Sequence, residues 1–176
     1  GTEPPSLDPS LATDTTSIDA ITNIFMGLTR ADPVTGEVLP YLATDWAVSE
    51  DGLVYTFNMR EDIPWVTYNP ASGEWAQVND DEGNPRFVTA DDVVYGVKRT
   101  LDPATASTYA YVLYNIANGA AVNGGEEGVT VDDLGVEALD AKTVQFTLEQ
   151  PAAFFPSIAG MWVANPMPSW AIDEWD

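Results

Sequence analysis

Cysteine and histidine are both missing from this 176-residue chain. Without cysteine there are no disulfides, thiolate metal sites or thiol nucleophiles. Without histidine the usual general base near neutral pH and the commonest transition-metal ligand are gone, so most hydrolytic triads and zinc sites cannot be assembled. Carboxylates, hydroxyls, tyrosines and two lysines, Lys98 and Lys142, are what remains for chemistry. Basic residues are scarce, 6 against 28 acidic, for a formal net charge of -22. Such a surface repels phosphate backbones and anionic headgroups, which excludes nucleic acid as a partner; solubility or adaptation to salt accounts for it without a bound cation. No apolar run approaches the ~20 residues that span a bilayer. A soluble protein is expected, and a mature secreted chain and a cytosolic one both have this composition.

What is present is a core. Hydrophobic residues make up 45% of the chain and are spread along its length, while charged residues are only 19%, so an ordered globular body is expected rather than disorder. A chain of this size buries roughly 70% of the surface its unfolded form exposes.

The three prolines before Asp14 predict an extended opening segment. Thr15, Thr16 and Ser17 are candidate N-caps of a helix whose apolar stripe is Ile18, Ile21, Ile24, Phe25 and Leu28. Asp32, Pro33, Thr35 and Gly36 mark a turn. Residues 42–48 and the alternation of Leu53, Tyr55, Phe57 and Met59 with Val54, Thr56 and Asn58 form the clearest strand pair, and Trp46, Tyr55, Phe57 and Trp65 are core candidates. Residues 66–86, with Asp80, Asp81, Glu82, Gly83 and Asn84 at their centre, predict a long acidic loop or small hairpin without the ligand spacing of an EF-hand. Thr89 caps a second helix, with Asp91 and Asp92 in its first turn, Val93, Val94, Val97 and Leu101 on its apolar face, and Lys98 and Arg99 near its end. Further expectations are a helix over 109–116, a Gly-rich break over 118–128, a hairpin from 136–139 and 144–148, a short helix presenting Phe154, Phe155 and Ile158, and a strand over 161–164. No closing element is evident over 170–176.

The segments TEPPSLDP, IFMGLTR, LPYLATDWAVSEDGLVYTFNMRED, FVTADDVVYGVKRTLDP and LGVEALDAKTVQFTLEQP, in that order, resemble the family 5 solute-binding proteins of ABC importers, which bind oligopeptides, dipeptides or nickel. PATASTYAYVLY, from Pro103 to Tyr114, is most similar to the oligopeptide-binding members. The resemblance implies a mixed α/β (α+β) fold, part of a bilobed periplasmic-binding-protein-like architecture. On that pattern, residues 1–41 start the first ligand-binding lobe, 42–150 form its extra subdomain, with the acidic loop 66–86 as an insertion, and 151–176 return towards the first lobe. Family members are much longer, so the second lobe is expected outside this chain. The resemblance further implies extracytoplasmic location, lipid-anchored at a cell surface or periplasmic. It implies a monomeric parent, capture of a peptide or similar small solute, and a membrane permease as partner.

Six residues fall where the family approaches its ligand. Glu3, Pro4 and Pro5 match a first strand resembling an edge that pairs with peptide backbone, an arrangement tolerant of ligand sequence; a plain exposed carboxylate is the alternative for Glu3. Tyr109 matches a cleft tyrosine that could stack on ligand or simply pack. Trp162 and Asn165 lie where the first lobe nears the cleft. No cofactor, metal site or catalytic residue is expected. The alternatives are a glycoside hydrolase working through paired carboxylates and a non-catalytic interaction module presenting exposed aromatics; within the family, nickel or another small solute could replace peptide.

Overall fold

The computed structural model of the protein describes residues 3–172. Glu3 and Pro4 run into a bend at Pro5 and belong to no strand, unlike the first strand expected of residues 3–5. Two successive prolines remove the N–H donors that a ladder there would need. Helix α1 (Thr15–Ile24) follows. Its N-cap is Asp14, one residue earlier than any predicted: the carboxylate accepts from Ser17 N at 3.0 Å. Bonds from Ser17 hold the Asp14 carboxyl below its usual range. Because the helix ends at Ile24, the predicted stripe loses its phase; Ile21 and Leu28 are fully buried, whereas Ile24 is 55% exposed.

Strands β1 (Thr29–Ala31) and β2 (Val38–Pro40) pair antiparallel around a turn in which Asp32 Oδ1 accepts from Val34 N and Thr35 N, both at 2.8 Å. Strands β3 (Ala43–Val48) and β4 (Val54–Met59) form the predicted pair. A register shift between Ala43 and Asp45 lets Ala43 and Trp46, three apart, both face the core. The acidic insertion contains an antiparallel hairpin, β5 (Val66–Asn69) and β6 (Glu74–Gln77), exposed along its whole length.

Helix α2 (Ala90–Leu101) begins after Thr89 as expected, and a capping box closes its start: Asp92 Oδ2 accepts from Thr89 N at 2.8 Å and from Thr89 Oγ1 at 3.2 Å. Val93, Val97 and Leu101 are fully buried on its inner face, with Val94 partly so. Residues 109–116 form a 3-10 turn at Ala110–Leu113 instead of a continuous helix. The Gly-rich break hides helix α3 (Gly119–Asn123), entered through Asn118 in the left-handed region at φ 61°. Strands β7 (Val136–Asp140) and β8 (Thr143–Thr147) are the second predicted hairpin. Helix α4 (Phe155–Ile158) buries Phe155 and Ile158 but leaves Phe154 at 58% exposure. The expected strand over 161–164 is a 3-10 turn, Trp162–Ala164; its apolar run is buried by packing and pairs with no strand. A last helical turn, α5 (Ser169–Ile172), follows Pro168 where no closing element was expected, and residues 173–176 lie outside the described residues.

The hairpins join into one antiparallel sheet ordered β3-β4-β8-β7. Tyr55 lies across from Phe146, Phe57 from Val144, and Val136 from Phe146, so one face is apolar. Thr56, Asn58, Gln145 and Glu137 line the other, where Gln145 Nε2 donates to Thr56 Oγ1. Helix α2 and the segment 155–164 cover the apolar face, and Phe57, Phe146 and Phe155 interlock with centroid distances of 5.8 and 5.1 Å.

Candidate functional site

The segment from Ala159 to Met167 threads between α2 and β1, and glycines set its position. Leu28 N donates to the Ala159 carbonyl at 3.2 Å. A Cβ at Gly27 would stand 3.1 Å from the Gly160 carbonyl oxygen and 3.2 Å from Asn165 Oδ1. On the other side, a Cβ on Gly96 of α2 would fall 2.2 Å from the Asn165 carbonyl oxygen, inside contact distance. Asn165 is thus approached closely by Gly27 and by Gly96 of α2 and is only 3% exposed.

Trp162 is fixed by its polar handle and its ring. The indole N–H donates to the Ala12 carbonyl at 3.2 Å, and Tyr109 meets the ring edge-on at 5.2 Å. Tyr109 is stacked in turn on Tyr111 at 5.7 Å, and Tyr111 is more than half exposed. An aromatic band therefore runs from the surface to Trp162.

Beside this band lies a cavity of about 120 Å³ walled by Thr22, Phe25, Arg30, Tyr41, Trp162 and Asn165, with Gly27 and Gly160 beneath. The Arg30 guanidinium carbon sits 5.2 Å from the centre of the Tyr41 ring, a cation-π contact that holds the charge at the rim. The chemistry offered is one cation, an amide and three aromatic rings, which suits a planar polar group.

Of the residues expected at a site, the structure brings Trp162 and Asn165 together on this cavity and joins Tyr109 to them through the Trp162 ring. Glu3, Pro4 and Pro5 do not line it. Their segment reaches the same region only downstream, where Ser6 N donates to Ser17 Oγ and Ala12 receives Trp162. Arg30 and Tyr41 went unnoticed in the sequence. The available signal was an arginine in a chain with 6 basic residues, placed directly after the glycine-containing segment IFMGLT.

A family model described as bacterial extracellular solute-binding proteins, family 5 Middle, matches residues 37–176. The dipeptide-binding protein DppE of Bacillus subtilis is 35% identical over 164 residues, covering 93% of this chain and 26% of its own length. The oligopeptide-binding protein OppA of the same organism is 35% identical over 166 residues, covering 94% and 27%. Among solved structures, the substrate-binding domain of an oligopeptide ABC transporter from Bacillus anthracis superposes with a TM-score of 0.83 at 33% identity, over 99% of this chain and 30% of that one. The murein tripeptide binding protein MppA of Escherichia coli does so with a TM-score of 0.82 at 32% identity, over 99% and 30%. The chain thus spans less than a third of the length of these relatives.

Proposed function

Since the chain belongs to the bacterial extracellular solute-binding proteins of family 5, we propose that it is part of a receptor that captures peptides outside the cytoplasm and delivers them to an ABC importer. The observation that carries this reading is the match along nearly the whole chain, in sequence and in fold, to proteins named for binding dipeptides, oligopeptides and a murein tripeptide.

Residues 1–41 and 151–176 are assigned to a ligand-binding lobe and 42–150 to its subdomain, with the acidic hairpin as a surface addition. The lobe offers one wall of a cleft. Tyr109, Trp162 and Asn165 face the ligand from that wall, and Glu3, Pro4 and Pro5 offer carbonyl acceptors at its edge. Ligand binding shifts the full-length protein towards a closed form, which a membrane permease then recognises. The role is binding, without catalysis. The full-length receptor is monomeric and works at a cell surface, held by lipid, or free in a periplasm.

The test is to purify the full-length protein carrying this chain under native conditions, denature it, and identify what it releases by mass spectrometry. Peptides in stoichiometric yield support the reading. Release of nickel or a non-peptide solute in their place overturns it.

A further inference from the structure

Asn165 combines two properties that seldom occur together. It is 97% buried by area, and among the described residues neither its side-chain oxygen nor its side-chain nitrogen has a hydrogen-bond partner. Buried amides are normally satisfied, because an unpaired one forfeits its interactions with water. Ser107 Oγ is the fully enclosed side-chain polar atom without a partner among the described residues, whereas Asn165 lines the cavity that it shares with Arg30. An unpartnered amide on a residue that lines a small cavity calls for a polar occupant.

Arg30 sets the sign of that occupant. Lys98, Arg99 and Lys142 are neutralised by Asp132, Asp8 and Glu61. Arg30 makes no ion pair among the described residues; it rests over the Tyr41 ring, and Asp32 feels it only as the last of five influences on that carboxyl. A guanidinium at a cavity mouth, in a chain of net charge -22, marks one place where an anion is welcome. The volume limits the size: about 120 Å³ is too little for a whole peptide and sufficient for one carboxylate with its attached carbon.

We propose that Arg30 and Asn165 form a carboxylate subsite, in which the guanidinium pairs with a carboxylate and the Asn165 amide donates to it, between the rings of Tyr41 and Trp162. The inference deepens the peptide-receptor reading and rests on it for the ligand's biological source. The carboxylate is either a peptide's C-terminus or an acidic side chain.

Two measurements separate the subsite from the receptor reading. In the first, N-acetylglycine and N-acetylglycinamide are titrated into isotope-labelled full-length protein while the Asn165 side-chain amide resonances are followed. The acid shifts them, its amide does not, and Arg30→Gln abolishes the response; Arg30 is exposed, so this variant keeps the fold. No shift with the acid, equal shifts with both, or an undiminished response in Arg30→Gln overturns the subsite. In the second, calorimetry compares tripeptides with free and amidated C-termini, and with Glu and Gln side chains. Arg30→Gln weakens binding about tenfold for whichever carboxylate is seated and leaves its amide counterpart unchanged. Equal losses for all peptides, or none, overturn the subsite. If the wild-type protein binds no peptide yet answers N-acetylglycine, the receptor reading fails while the subsite stands.

Discussion

Trp65 donates its indole N–H to Asp92 Oδ2 across 3.3 Å, fastening the base of the acidic hairpin to the first turn of the helix that covers the sheet. The same oxygen accepts from Thr89 N and Thr89 Oγ1, so one carboxylate caps α2 and anchors the insertion together. Asp92→Ala removes every one of these bonds, and a loss of about 1–2 kcal/mol in urea unfolding is expected.

Asp92 also gives a pH signature. Burial outweighs its hydrogen bonds and raises its carboxyl above the ordinary 3.8. As pH rises the unfolded chain releases this proton first, so the folded form holds more protons. The contribution of Asp92 is therefore fully present below its unfolded value and is lost as pH climbs through the raised folded value. Asp32 and Asp51 act oppositely. Bonds from Thr35 and from Ser49 lower their carboxyls, and their contributions, present above the unfolded value, disappear as pH falls through the folded one. Stability measured against pH in Asp92→Asn should lack the decline that the wild type shows just above the ordinary carboxylate range.

Gly96→Ala tests how α2 positions the candidate site. In an exposed helix this change gains about 0.5–1 kcal/mol, but overpacking costs about 1–3 kcal/mol. With the added carbon 2.2 Å from the Asn165 carbonyl oxygen, the steric cost wins. The expected outcome is lower stability together with an altered Asn165 side-chain amide resonance.

The sheet core rests on its interlocked rings. Phe146 is 1% exposed and touches both Phe57 and Phe155. Phe146→Ala should cost about 3–5 kcal/mol in denaturant unfolding.

By contrast, replacing residues 66–77 with two glycines should change stability by less than about 1 kcal/mol, because both hairpin strands are exposed throughout. A thermal melt shows whether the insertion is only a surface feature.

Elements whose signal is local were legible in the sequence. The threonine at Thr89 with Asp91 and Asp92 after it, and the alternation from Leu53 to Met59, located α2 and β4 because both depend on neighbours in the chain. Segments shaped by distant contacts were not. Trp162–Ala164 is apolar because α2 and β1 enclose it, and apolarity without alternation does not distinguish a strand from a buried turn. Asn118 initiates α3 from a left-handed backbone that no periodicity announces. At the candidate site, family resemblance pointed to Trp162 and Asn165, whereas Arg30 and Tyr41 join them only through the packing of β1 against the 159–165 segment. Such a meeting of residues over 120 positions apart leaves no local trace.

The central claim, that this chain is part of a peptide receptor, is tested most directly by the melting temperature of the full-length protein with and without a mixture of short peptides. A ligand at one hundred times its dissociation constant stabilises by about 2.7 kcal/mol, so a clear rise in the melting temperature, with the protein remaining a monomer, is predicted. No shift with any peptide, accompanied by a stable oligomer, would contradict the claim and favour an interaction module.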